Sequence, residues 1–189
     1  MAIGLEIIIG VIILLIVLVF IGYLVSIYNS FVRLRNNIKK SWANINVLLK
    51  QRSDELPKLV ASVKGYMKHE KTLLTQLTKA RTQFLNATTM SQKAAADNII
   101  SGALKSLFAV AENYPNLKAN ENFMQLQDRI SGLENELADR REFYNDSVNT
   151  YNIRMESFPD MFVARMMHLK QESMFQVAEK DMKDVEIKF

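Results

Sequence analysis

His69 and His168 are the two histidines of a 189-residue chain that has no cysteine. Histidine is the side chain best suited to move a proton or hold a metal near neutral pH. A di-iron helical bundle needs Glu-x-x-His pairs, which aim two ligands from one helix face. Neither histidine begins or ends such a pair. His69 is followed by Glu70, but successive helical residues point about 100° apart and seldom share an ion. There is no cysteine nucleophile, Gly-x-Ser-x-Gly elbow, phosphate-binding glycine loop or His-Glu-x-x-His motif. Glu112, Glu134 and Glu142 recur at helical spacings and read as solvated faces and ion pairs. The sequence asks for no enzyme chemistry, no cofactor and no metal.

Other polar residues lie on or beside apolar seams. Asn29, Asn36 and Asn44 fall in the first third of the chain, and Asn145 and Asn152 near its end. A buried asparagine must find partners, and it can fix the register between helices. Arg140 or Arg141 fills the position between Leu137 and Tyr144, where Glu112 or Glu134 is the expected partner. These read as register-setting contacts, with a ligand pocket as the alternative.

The element that places everything else is the run 7–25, IIIGVIILLIVLVFIGYLV, which carries no charge. Such a run spans the hydrocarbon core as a helix, because only a helix or a closed barrel satisfies its own backbone in lipid. Ile7, Ile12, Leu14, Val17, Phe20 and Val25 are its anchor residues. Only Glu6 precedes it as a charge, whereas Arg33, Arg35, Lys39 and Lys40 follow. Lysine and arginine gather on the cytoplasmic side. The expectation is a single-pass protein of a bacterial inner membrane, with the N-terminus outside and residues from about Ser30 onward in the cytoplasm. A cleaved signal peptide would show a positive first region, a shorter core and a small-residue cleavage site. None is present, so the segment is expected to be retained.

Six glycines and three prolines favour helices for the remainder. Residues 29–81 carry 12 Lys/Arg against 3 Asp/Glu, and residues 82–189 carry 12 against 16. Arg33, Arg35, Lys39 and Lys40 are therefore candidates to face anionic lipid. Complementary helix faces are the plainer explanation of the asymmetry. Nucleic acid is not an expected partner, since no binding motif accompanies the basic residues.

Pro57, Pro115 and Pro159 mark helix boundaries, with Ser53 and Asp54 as caps before the first and Ser91 as a further cap candidate. Between them apolar residues step by three and four. The first cytoplasmic segment has Phe31, Leu34, Ile38, Trp42, Ile45 and Leu49. The second runs from Leu56 to Phe84 and the third from Ile100 to Tyr114. The fourth has Phe123, Leu126, Ile130, Leu133, Leu137, Tyr144, Val148, Tyr151, Met155 and Phe158. From Tyr144 the pairs slip by one, as a 3.6-residue helix drifts against a seven-residue repeat. The expected fold is all-α. An N-terminal transmembrane helix (1–28) continues into an antiparallel up-down-up-down four-helix bundle (29–158). The anchor and first bundle helix would form one rod to about Arg52, roughly 70 Å long.

Such a bundle returns its last helix toward the membrane. Residues 159–178 then read as an amphipathic helix, with Met161, Phe162, Met166 and Phe175 as candidates for self-association. That helix either lies in the membrane interface, contacts a neighbouring subunit or covers the bundle. The charged tail 179–189, ending in Phe189, is expected to dock in extended form on the bundle or a neighbouring chain.

Tyr28-Asn29, Leu34-Arg35-Asn36 and Trp42-x-Asn44-Ile45-x-Val47-x-Leu49-Lys50-x-Arg52 follow the anchor. Asp54-x-x-Pro57-x-Leu59-Val60, Val63-Lys64-Gly65-Tyr66, His69-Glu70 and Ala80-Arg81 come next. Ala111-Glu112-x-Tyr114-Pro115, Leu117-Lys118-Ala119, Phe123-x-x-Leu126-Gln127, Tyr144-Asn145, Tyr151-Asn152 and Phe158-Pro159 complete the series. In order and spacing this series resembles the LemA family across nearly the whole chain, and the resemblance implies an inner-membrane protein with a cytoplasmic helical bundle. It carries over no catalytic residues, and some relatives are associated with membrane invagination or envelope stress. One departure is Ala164–Leu169, where the family has a Gly-Phe-like step.

The functional expectation is a non-enzymatic scaffold that contacts membrane lipid, forms homo-oligomers and shapes or organises the membrane. The alternative is an adaptor or sensor that recruits another membrane protein, such as a protease.

Overall fold

The computed structural model describes residues 2–67 and 69–175, and every regular element among them is a helix. In order they are α1 (Ala2–Lys64), α2 (Lys71–Asn86), α3 (Met90–Ala111), α4 (Pro115–Lys118), α5 (Glu121–Glu156) and α6 (Asp160–Met166). The described residues form two compact units. One holds 2–40 and 146–173; the other holds 41–67, 69–145 and 174–175.

Helix α1 does not end near Arg52 but continues through Pro57 to Lys64. Proline has no N–H, so the carbonyl four residues earlier loses its helical donor. That carbonyl belongs to Ser53, and the Arg81 side chain of α2 donates to it through Nε at 3.0 Å. A neighbouring helix thus repairs the bond that Pro57 removes. Asp54 is not a cap; its carboxylate pairs with Lys50 one turn earlier at 2.5 Å. Leu56, Leu59 and Val63 consequently belong to α1, which is followed by a turn at residues 65–66 and the buried Met67.

The cap before α3 is Thr89 rather than Ser91. Thr89 Oγ1 accepts from the Gln92 backbone, and the Gln92 side chain accepts from the Thr89 N–H, both at 3.2 Å. This reciprocal capping box satisfies two otherwise unpaired donors. Pro115 stops α3 as its type requires, and it also opens the single turn α4. Asn120 Oδ1 then accepts from Phe123 N at 3.0 Å and starts α5.

In the unit of 41–145, α1, α2, α3 and α5 each turn an apolar face inward. Ile45, Leu49, Leu56, Leu77, Leu107, Phe123, Ile130, Leu137 and Tyr144 are buried. Trp42, Leu126 and Leu133 are half-buried at the seam's margin. Along α5 the buried positions Phe123, Ile130, Leu137 and Tyr144 keep steps of seven, then shift to Val148 and Tyr151. In the unit of 2–40 and 146–173, Ile27, Phe31 and Ile38 are buried with Val148, Tyr151, Val163 and Ala164.

Of the expected helix over 159–178, residues 176–178 lie outside the described residues, and in the rest only the seven residues of α6 are helical. Leu169 N donates to Ala164 O at 3.1 Å and His168 N to Arg165 O at 3.0 Å. This pair of bonds is a Schellman closure, whose left-handed residue is usually glycine. His168 occupies that position with φ of 50°. Residues 169–175 continue without helix. The tail 179–189, Phe189 included, lies outside the described residues.

Candidate functional site: a buried ionic cluster and a membrane-proximal corner

The interior of the unit of 41–145 holds charge. Arg52 lies on the apolar face of α1 between Leu49 and Leu56, and its residue is fully buried. Its guanidinium pairs with Asp97 of α3 and Glu134 of α5. It also donates to Ser101 Oγ at 3.0 Å and to the Asp97 carbonyl at 3.3 Å. Ser101 Oγ in turn donates to Glu134 Oε1 at 3.0 Å. The second oxygen of Asp97 receives Arg141 of α5. Two cations and two anions therefore balance in one cluster that ties three helices. The Arg52–Asp97 pair is sealed, with both side chains 1% exposed, while Glu134 at 35% reaches the surface.

Burial, and then repulsion from Arg141, lower the Arg52 pKa to about 9, which leaves it charged at neutral pH. Burial also lowers that of Arg141. Such a cluster adds little net stability over an apolar core, yet it is costly to break from one side. It sets which helix face meets which, and no reacting group is free in it.

Arg141 also stacks on the Phe175 ring, 5.0 Å from its centroid. Phe175 packs on Trp42 as well and is buried. Asn145 holds the Phe175 backbone from both sides, accepting its N–H at 2.7 Å and donating to its carbonyl at 3.2 Å. In the other unit Asn152 grips Glu172 in the same way, at 3.0 and 2.9 Å. The Tyr151 hydroxyl donates to the Lys170 carbonyl at 3.3 Å. Burial, followed by Glu172, raises the Tyr151 pKa against the pull of Arg35, so the donor stays protonated. These asparagines replace the hydrogen bonds that a helix over 170–175 would have made. Phe175 is thus an interior residue and not available for self-association.

In the unit of 2–40, the span-length stretch of α1 has no buried residue. Ile7, Ile12, Leu14, Val17, Phe20 and Val25 are all exposed. Arg33, Arg35, Lys39 and Lys40 are exposed beyond it. Cover begins at Leu24, which is half-buried, and at Ile27. Arg154 fastens this corner: it donates to Ser30 Oγ, pairs with Asp160 and lies 5.8 Å from the centroid of the Phe31 ring. Of the expected self-association residues, Phe162 and Met166 are exposed and Met161 is half-buried.

The expected partners for the arginines differ in the structure. Arg140 pairs with Glu136, and Glu112 pairs with Lys118. The Arg52–Asp97 pair is absent from the expectations. Its signal is a charge standing at core spacing, Arg52 between Leu49 and Leu56 and Asp97 between Ala94 and Ile100. Both histidines are exposed or in turns, and no group of three or more His, Asp or Glu is placed to hold a metal among the described residues.

One apolar helix of spanning length, together with packed polar-faced helices, defines the class: a membrane-associated all-helical protein. The profile of the LemA family matches residues 41–189, and the chain belongs to that family. Magnetosome protein MamQ 2 of Paramagnetospirillum magneticum is 27% identical over 186 residues, covering 85% of this chain and 68% of that protein. Protein LemA of Metamycoplasma hominis is 29% identical over 163 residues, covering 84% and 73%. Magnetosome protein MamQ of Magnetospirillum gryphiswaldense is 22% identical over 182 residues, covering 82% and 67%.

Proposed function

We propose that the chain is a non-enzymatic scaffold, anchored in the cytoplasmic membrane by α1 and self-associating through its cytoplasmic helices. The observation that carries this reading is the continuity of α1, which joins a bare apolar span to residues of a packed core without a break. One helix thus supplies residues both to the apolar span and to the packed core, which tethers the core to the membrane as a scaffold requires. In this reading α1, α2, α3 and α5 form an antiparallel up-down-up-down bundle. The basic flank from Arg33 to Lys40 lies on the cytoplasmic side.

Aliphatic anchors gain little from meeting each other in lipid. Assembly therefore rests on the cytoplasmic helices, where Val47 and Phe143 leave large apolar side chains exposed. The relatives named for the magnetosome carry the name of a body rather than a reaction, which supports an organising role. The test is the mass of full-length protein in mild detergent, by mass photometry with electron-microscope imaging. A defined large particle is the expected result. A monomer at all concentrations would exclude the scaffold and favour an adaptor that recruits another membrane protein, to be sought by crosslinking in cells.

A further inference from the structure

The corner where α5 gives way to α6 presents an apolar face that the protein does not cover. Phe158 is 81% exposed, Phe162 57% and Met166 70%. Phe162 and Met166 stand four residues apart on α6, a spacing that aligns side chains along one side of a helix, and Phe158 lies in the turn just before it. The opposite side of α6 is closed, with Asp160, Val163 and Ala164 buried. Phe158 and Phe162 meet edge to face at 6.0 Å, so the two rings form one surface.

The height of this surface is fixed within its own unit. Asp160, the first residue of α6, shares the Arg154 guanidinium with Ser30 of α1. Tyr151 packs on Phe31 while Arg154 reaches Ser30, so α5 runs back toward the apolar span. Ser30 stands five residues beyond Val25, where the uncharged run ends. At ~1.5 Å per residue that is roughly 7.5 Å along the helix. The headgroup layer on each side of a bilayer is about 5–7 Å deep. That puts Ser30, and Arg154 against it, at about the outer edge of the headgroup layer, and α5 runs on from there toward the span, so the corner that follows it falls within that layer. Tyr23 and Tyr28, both exposed on α1, mark that level with the amphipathic rings typical of a membrane interface. Arg165 is exposed beside them on α6, where a cation suits the headgroup region.

We infer that the α5–α6 corner is a second membrane contact, in which Phe158, Phe162 and Met166 insert into the interfacial layer of the bilayer that α1 spans. The helix crosses the membrane, and the corner holds the returning chain against its surface. A single anchor leaves a protein free to tilt and spin about its axis; a second contact beside it fixes both. The inference rests on α1 being membrane-spanning but not on self-association.

The chain lacks cysteine, so single cysteines can be labelled without background. Phe158→Cys, Phe162→Cys and Met166→Cys replace exposed side chains and spare the core. Each is labelled with an environment-sensitive fluorophore and the full chain is reconstituted into vesicles of phosphatidylcholine and phosphatidylglycerol. Quenching by brominated lipid is compared with quenching by aqueous iodide. Ile12→Cys reports the anchor, and Asp146→Cys, exposed on the same unit, reports water. The three corner probes are expected to show roughly half or more of the lipid quenching at Ile12, with iodide quenching well below that at Asp146. Corner probes that match Asp146, while Ile12 is quenched by lipid, overturn the second contact and leave the anchor standing. An Ile12 probe without lipid quenching overturns both. Corner probes shielded from lipid and iodide alike, becoming iodide-accessible as protein is diluted in lipid, would show a second copy as the occupant and overturn the inference.

Discussion

The unit of residues 41–145 draws Arg52, Asp97 and most of Arg141 inside and answers each charge with another. The unit of 2–40 and 146–173 leaves bare the apolar span of α1 together with Phe158, Phe162 and Met166. The first settles its least water-compatible problem, buried charge, wholly within the protein. The second leaves large apolar surface for something else to cover. Soluble proteins rarely leave contiguous apolar surface of this extent exposed. The difference is in what each leaves open: the first unit answers its buried charges itself, and the second presents an apolar surface of the kind that lipid covers.

The largest expected effect comes from breaking the charge cluster. Asp97→Ala removes the carboxylate that answers both Arg52 and Arg141, leaving Arg141 without its ionic partner and Arg52 with Glu134 alone. A loss of ~3–5 kcal/mol is expected in denaturant unfolding of the full chain in detergent. Glu134→Gln keeps an amide oxygen toward Arg52 and Ser101 at a partly exposed site, and is expected to cost about 1–2 kcal/mol. Equal losses would mean that the partly exposed Glu134 carries as much of the cluster as the sealed Asp97, and would weaken the contrast between the units.

Much of this architecture is legible from sequence, for definite reasons. The steps of seven from Phe123 to Tyr144 read directly as a buried stripe, and the uncharged run 7–25 as a helix long and apolar enough to cross a membrane. Pro115 at the end of α3 follows from proline chemistry alone. Most of the misreadings come from a partner distant in sequence. The Ser53 carbonyl is rescued by Arg81, 28 positions later. Residues 169–175 have apolar spacing that suits a helix, but their backbone is held by asparagines 20 and 30 positions earlier. Seven residues of α5 separate Asn145 from Asn152 and three separate Glu172 from Phe175; helix and extended chain both advance about 10 Å over those lengths. Arg52 and Asp97 are charges, and charge is ordinarily read as surface.

The bond to Ser53 gives an intermediate effect within the unit of 41–145. Arg81→Met removes the donor and leaves a buried carbonyl unpaired, with an expected cost of about 1–3 kcal/mol. Pro57→Ala restores an N–H for that carbonyl from within α1. In the Arg81→Met background it should therefore recover more stability than in the parent protein, and the difference measures the repair directly. Strictly additive changes in a denaturation cycle would show that Arg81 acts through packing and not through the Ser53 carbonyl.

The smallest effect falls in the membrane-facing unit. His168 holds the left-handed position that closes α6, at φ of 50°, where a side chain is disfavoured by ~1 kcal/mol. It is exposed, and the family resemblance expects a Gly-Phe-like step in this stretch. His168→Gly removes the crowding but adds freedom to the unfolded chain, so a net gain of roughly 0.5 kcal/mol is expected in thermal unfolding. The sign carries the argument. A gain means that the closure is set by the backbone and that α6 stops at Met167 whichever residue follows, keeping Phe162 and Met166 on their exposed face. A loss means that the imidazole itself contributes to the closure. The end of α6, and with it the apolar corner, would then depend on a side chain that the surrounding sequence does not require.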